Sequence, residues 1–303
     1  MERRGFIKKL GLGGAALSAA GTLSFPAFAQ QNKAASFNMD FAPHFGMFKN
    51  HAPGGFVDEL KFMADQGFRS LEDNGMLGRS VADQELIAKT MSDLGMRMGV
   101  FVIDGGDNWK VSLTTGKQEF LDKFLDTCRR SVEVAKRVNA KWMTVVPGYF
   151  ERNLPLGVQT GNVIEALKRG AEIFEPHGLT MVLEPLSDNP DLFLRHADQT
   201  YMICKAVGSP SCKILYDIYH MQRNEGNLIA TMDKTWSEIA YIQIGDNPGR
   251  KEPGTGEINY TNVFKWIHEK GFTGVMGMEH GNAKPGKEGE LALIEAYRKV
   301  DIA

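Results

Sequence analysis

From Ser36 onward the chain alternates two kinds of apolar pattern. Short runs of β-branched and other apolar residues occur at Phe37–Phe41, Phe68–Leu71, Met96–Val102, Trp142–Val146, Thr180–Leu183, Lys213–Tyr216, Tyr241–Ile244 and Gly274–Met278. Each has the length and composition of a strand. Between them run longer stretches whose apolar residues recur at helical spacing. The clearest is 120–138, with Phe120, Phe124, Val132, Ala135 and Val138; 164–174 and 261–270 follow the same rule. Strands alternating with helices make parallel β-α units, and eight of them in residues 36–303 predict an α/β protein closed into a (β/α)8 barrel, the TIM-barrel architecture. Gly67, Gly95, Gly178 and Gly271 stand where helices hand over to strands, positions that favour the left-handed backbone glycine adopts readily. No linker, low-complexity tract or charge run divides residues 30–303, which read as one domain.

Residues 1–29 follow different rules. Arg3-Arg4 precedes Gly5, Phe6, Ile7 and Lys8, then a weakly apolar, Gly- and Ala-rich run from Leu10 to Leu23, then Ala27-Phe28-Ala29. That order is the signature of a twin-arginine signal peptide with an A-x-A cleavage site. A membrane-anchoring helix is the alternative, but the run is short and glycine-rich for a hydrocarbon core of ~30 Å. The mature chain is expected to begin near Gln30 and to work in the periplasm, with the twin-arginine export machinery as a transient partner. That pathway carries folded proteins, which suits a cofactor bound before export.

Composition alters this picture little. A net charge of -2 over 303 residues gives no electrostatic case for nucleic acid or an anionic membrane as partner. Cys128, Cys204 and Cys212 lack metal-ligand spacing and read as buried free thiols, although export leaves a Cys204–Cys212 bridge open.

The chemistry gathers where apolar strands end. The fifth strand runs into Glu184, the sixth into Asp217, the seventh through Gln243 toward Asp246, the eighth into Glu279-His280, and the second into Glu72-Asp73. In a barrel these ends meet at one mouth, where active sites of this architecture are built. Charges there are costly to desolvate unless paired, hydrogen-bonded or metal-bound. Glu184, Asp217, Gln243 and Glu279 offer oxygen ligands from four successive strands, a set suited to a hard divalent cation, Mn2+ or Mg2+ first and Co2+ after them. Each alone could equally be a hydrogen-bonded strand end; four in succession favour the metal. Glu72 is placed with them as a substrate contact.

Two segments carry a resemblance. Tyr216–Gly226 reads Y-D-I-Y-H-M-Q-R-N-E-G, and Ile242–Tyr260 reads I-Q-I-G-D-N-P-G-R-K-E-P-G-T-G-E-I-N-Y. Both resemble the hydroxypyruvate isomerases, members of the xylose isomerase-like barrels, with weaker support from L-E-P at 183–185 and G-D-N-W at 106–109. The resemblance implies that Glu184, Asp217, Gln243 and Glu279 ligate the metal and that Glu184 and Glu279 exchange protons with the substrate. It also implies that His220 and Arg250 contact substrate oxygens. A planar guanidinium suits a carboxylate. Glu257, in a Gly/Pro-rich loop, is expected either to reach back and order Arg250 or His220, or to stand exposed. Two positions depart from the family's pattern: His280 follows Glu279 where an aromatic is usual, and His44 ends the first strand where a smaller apolar residue is expected. Both would add imidazole near the mouth.

The reaction implied moves a carbonyl between adjacent carbons, interconverting hydroxypyruvate and tartronate semialdehyde, with no redox cofactor. A keto-sugar 3-epimerase or sugar isomerase using the same metal and glutamates is the rival enzyme. A periplasmic sugar-binding protein is the rival from another class, and would require two lobes around a hinge. A homo-oligomer is compatible with all three.

Overall fold

The computed structural model describes residues 34–302; the expected signal peptide at 1–29 lies outside them. The alternating pattern produces parallel strands β1 (Phe41–Ala42), β2 (Ser70–Leu71), β3 (Arg97–Met98), β4 (Val100–Val102), β5 (Trp142–Val145), β6 (Thr180–Leu183), β7 (Cys212–Asp217), β8 (Ile239–Gln243) and β9 (Met276–Gly277). Seven pair in the order β1-β9-β8-β7-β6-β5-β4, and β2 pairs with β3. The ring closes where Glu72 N donates to the Pro43 carbonyl (2.9 Å) beside a His44–Glu72 bridge. The segments β3 and β4 form the two halves of the predicted Met96–Val102 strand, so eight barrel positions result. The barrel from residue 34 on is one compact unit rather than two lobes around a hinge.

Helices α1 (Phe56–Asp65), α2 (Val81–Leu94), α3 (Gln118–Val138), α4 (Leu156–Phe174), α5 (Ala197–Val207), α6 (Ile218–Asn224), α7 (Leu228–Thr235), α8 (Tyr260–Glu269) and α9 (Gly286–Val300) cover the outside. The four joint glycines all take positive φ. The first strand is shorter than its apolar run because Asn38 N and Met39 N donate to the Asp301 carboxylate (2.9 and 3.0 Å) instead of to a neighbouring strand. Cys128, Cys204 and Cys212 are buried and unbridged. Among the described residues no helix is long and apolar enough to cross a membrane.

Successive side chains on a strand face opposite sides of the sheet, and this alternation builds the site. Outward residues such as Leu183, Ile214, Tyr216, Ile242 and Met276 pack into the large core beneath the helices. Inward residues Ala42, Val100, Trp142, Val182, Leu215, Tyr241 and Val275 fill the barrel as a separate apolar cluster. Two residues further along each strand, the same inward face carries Val102, Thr144, Glu184, Asp217, Gln243 and Gly277. The polar residues at the mouth therefore rest on an apolar plug, which keeps water from reaching them from below.

Candidate active site

The register sets Asp217 beside Gln243, and Gln243 beside Gly277, with Glu279 two residues beyond on the same face. One oxygen each from Glu184, Asp217 and Glu279 and one ring nitrogen of His220 all lie within 4.8 Å of one another. Asp217 divides its two oxygens. Its Oδ1 accepts from His220 N (3.1 Å), capping α6, and its Oδ2 faces the cluster, 3.6 Å from His220 Nε2. That cap fixes His220 over the mouth. Ser187 N donates to His220 Nδ1 (3.2 Å), and Nε2 is the nitrogen turned toward Glu184, Asp188 and Asp217.

Arg250 closes the ring of charge. Its Nη2 donates to Glu279 Oε2 (2.8 Å) and to Asp217 Oδ2 (3.3 Å), and stands 3.1 Å from His220 Nε2. The guanidinium lies over the Tyr219 ring, 5.0 Å from its centroid. The loop that presents it is organised around buried Asp246, whose carboxylate accepts from Gly254 N, Gly256 N and Ile258 N (2.9, 2.9 and 3.1 Å). Three backbone donors on one carboxylate hold this Gly/Pro-rich segment in place without regular secondary structure.

Crowding of like charge away from water shifts these groups. Burial, then the neighbouring Glu279 and Asp217, push the Glu184 carboxyl well above the ordinary range. Burial raises Glu279 to about 7, opposed by the Arg250 charge. Burial lowers His220, so its imidazole is neutral more readily than usual. Perturbed carboxyls converging in a cleft are what acid–base chemistry near neutrality needs.

The residues present fit a hard cation. Glu184 Oε1 and Gln243 Oε1 are both buried without a hydrogen-bond partner, a costly arrangement for protein alone. The donors are carboxylate and carboxamide oxygens with a neutral imidazole beside them, and no thiolate. His220, expected as a substrate contact, is also close enough to be a ligand.

A cavity of about 650 Å³ opens above the cluster, lined by Glu184, His220, Arg250 and Glu279 at its base and by Asn74, Asp104, Asn108, Trp109, Arg130, Thr144 and Asp188 along its walls. Asn74 Nδ2 donates to Glu279 Oε1 (2.8 Å), so this glutamate is held from both sides. Asn74 and Thr144 are neutral and carry no charge signal at their strand ends, although Asn74 directly follows Glu72-Asp73.

Three expectations are corrected, and for Glu257 the exposed alternative is the one found. Glu72 does not line the cavity: it is buried below it, accepting from Gln243 Nε2 and the Tyr241 hydroxyl (both 2.9 Å). Glu257 does not reach Arg250 or His220, because its exposed carboxylate is engaged by Asn247 Nδ2 and Gln222 Nε2. His280 follows an inward residue and so points outward, stacking on Tyr297 with Nε2 2.7 Å from its hydroxyl. Burial drives its pKa down to about 3. His44 turns its ring to the Phe45 and His280 carbonyls (3.0 and 3.2 Å) beside a separate cleft. Neither histidine adds imidazole to the substrate cavity.

A parallel barrel whose strand ends gather three carboxylates, a carboxamide and a histidine around one cavity defines a class. Residues 60–300 match the xylose isomerase-like TIM barrel family, and the chain belongs to it. It is similar to hydroxypyruvate isomerase of Escherichia coli K12, 31% identical over 190 residues that cover 62% of this chain and 72% of that protein. It is also similar to 2-oxo-tetronate isomerase of Cupriavidus necator, 28% identical over 258 residues, 83% of this chain and 95% of that protein. Among solved structures, an AP endonuclease family 2 protein from Brucella melitensis superposes with a TM-score of 0.73 at 23% identity, covering 86% of this chain and 99% of that one. The E. coli 3-keto-D-glucoside 4-epimerase superposes at 0.71 and 19% identity, covering 86% and 98%. These two likenesses establish the fold. The chain is an isomerase of this family.

Proposed function

We propose that the chain is a divalent-cation-dependent isomerase of short 3-hydroxy-2-oxo acids, interconverting hydroxypyruvate and tartronate semialdehyde or a longer homologue such as a 2-oxo-tetronate. The observation that carries this reading is the pair Glu184 and Glu279, two shifted carboxyls converging at the base of one cavity beside a guanidinium. Glu184, Asp217, Gln243 and Glu279 would hold Mn2+ or Mg2+, with His220 close enough to join them; the bound cation would supply electrophilic stabilisation of the charge that develops on the carbonyl oxygen. One glutamate removes the proton from C3, giving an enediolate. The same glutamate, or the one facing it, returns a proton to C2 while the hydroxyl proton passes from O3 to O2. His220 is placed to contact a substrate oxygen where it does not join the cation, and Arg250 to receive the carboxylate. Asn74 keeps Glu279 turned inward. The first 29 residues support the further reading that this reaction takes place in the periplasm.

The cavity favours a second reading. It extends past the carboxylates to Asp104, Asn108, Trp109 and Arg130, more room than a three-carbon acid fills, and so suits a keto-sugar handled by the same glutamates. Solvent-deuterium exchange into hydroxypyruvate, 2-oxo-tetronates and common ketoses, with Mn2+-loaded protein, separates the two. Deuterium at carbon in the acids supports the first reading; exchange in ketoses alone supports the second. Glu184→Gln should lower exchange by about 10²–10⁴-fold at saturating metal. Near-normal exchange in that variant would remove its carboxylate from the proton-transfer step.

A further inference from the structure

Beneath the mouth lies an interaction that the reaction does not use directly. Gln243 is a carboxamide, with an oxygen at one end of its planar head and an NH2 at the other. Toward a cation only the oxygen is acceptable, because the other orientation would aim N–H hydrogens at positive charge. The orientation is settled from behind. Nε2 donates to Glu72 Oε1 (2.9 Å), and the Tyr241 hydroxyl donates to Glu72 Oε2 (2.9 Å). The Glu72 oxygen that meets Gln243 accepts, so it takes the NH2 end of the carboxamide and leaves Gln243 Oε1 facing the cluster, buried and without a partner.

The barrel makes room for this carboxylate at some cost. Gly277 on the neighbouring β9 stands where a Cβ would fall 1.7 Å from Glu72 Oε2. Gly99, which divides β3 from β4, stands where a Cβ would fall 2.4 Å from the Tyr241 hydroxyl. Glycine weakens a strand interior, by roughly 0.5–1 kcal/mol relative to alanine. Two such positions flank one buried hydrogen-bonded pair.

We infer that Glu72 is a positioning residue for the cation site: it fixes the carboxamide of Gln243 with its oxygen toward the metal, and Tyr241 with Gly277 and Gly99 fixes Glu72. This inference rests on the metal reading above and extends it to a residue that touches neither metal nor substrate. Partners that orient a ligand from behind typically influence metal affinity by about 10–100-fold.

The test is a double-mutant cycle read by Mn2+ calorimetry on the full barrel, with no substrate present. Glu72→Leu should weaken Mn2+ by about 10–100-fold. In a Gln243→Ala background, where there is no carboxamide to orient, the same change should have little further effect. Glu72→Gln is close in shape and protects the test against a folding failure of the leucine variant. It retains an acceptor oxygen, so its loss should be smaller than that of Glu72→Leu. Equal weakening by Glu72→Leu with and without Gln243 would overturn the inference, since the residue would then act through charge or packing alone. Equal losses in Glu72→Gln and Glu72→Leu, or wild-type affinity in Glu72→Leu, would do the same. Absence of Mn2+ binding by the wild-type protein would instead remove the metal reading itself.

Discussion

Stripped of divalent metal, this protein should lose stability as pH rises from 4.5 to 7.5, and Glu279 should account for a measurable share. In the unfolded chain its carboxyl ionises near the ordinary value of 4.5; in the fold, burial holds the proton until about 7. Across that window the folded state binds more protons than the unfolded one, so stability is intact below 4.5 and declines as pH climbs toward 7. The gap between 4.5 and about 7 corresponds to about 3 kcal/mol at 1.36 kcal/mol per pH unit. Replacing Glu279 with Gln removes this titration. It also eases Glu184 and Glu72, whose carboxyls Glu279 helps to push up, so both effects act in the same direction. Urea denaturation followed by tryptophan fluorescence, in EDTA at half-unit pH steps, measures the difference between the two proteins. The wild type should lose about 3 kcal/mol relative to Glu279→Gln between pH 4.5 and 7.5. Mn2+ at about 100 times its Kd should then return roughly 2.7 kcal/mol to the wild type at pH 7.5. Parallel pH profiles for the two metal-free proteins, or a wild type that gains on the variant, would refute the assignment of a raised pKa to Glu279.

Three further outcomes follow from other parts of the fold. Arg250→Ala should raise KM for a carboxylate substrate by about 10–150-fold, the worth of a charge-assisted hydrogen bond at roughly 1.5–3 kcal/mol, while Mn2+ content changes little; an unchanged KM would place the carboxylate elsewhere. Gly277→Ala should destabilise the metal-free protein by about 1–3 kcal/mol through overpacking against Glu72, and an unchanged urea midpoint would contradict the close approach. Replacing Arg3 and Arg4 by Lys should strand the protein in the cytoplasm on cell fractionation, and unimpaired periplasmic recovery would argue against the twin-arginine reading.

The barrel was legible because period-two and helical patterns carry burial directly, and strands such as Thr180–Leu183 and helices such as α3 follow them closely. The same alternation explains why Glu184, Asp217, Gln243 and Glu279 were legible: each continues the inward face of an apolar strand. Depth was not legible. Glu72 stands at a strand end like the others, yet Gly277 lets its carboxylate drop below the mouth, and the missing side chain belongs to another strand. Parity corrected His280, which alternation itself would have turned outward beside an inward Glu279. Loop partners such as Asn247 and Gln222 for Glu257 depend on contacts that no local spacing encodes.

The division of Asp217 between two duties has a consequence for how the site comes to exist. Because one oxygen terminates a helix and the other faces the charged cluster, the carboxylate has no rotamer to search once α6 has formed, and His220 is delivered in the same event. Chain folding thus prepays part of the ordering entropy that a flexible ligand would pay on meeting its cation or substrate. An asparagine there could preserve the helix end with its oxygen only by turning its NH2 toward the cluster. The two duties are therefore hard to separate by substitution, and that ties the integrity of one short helix to the chemistry of the cavity.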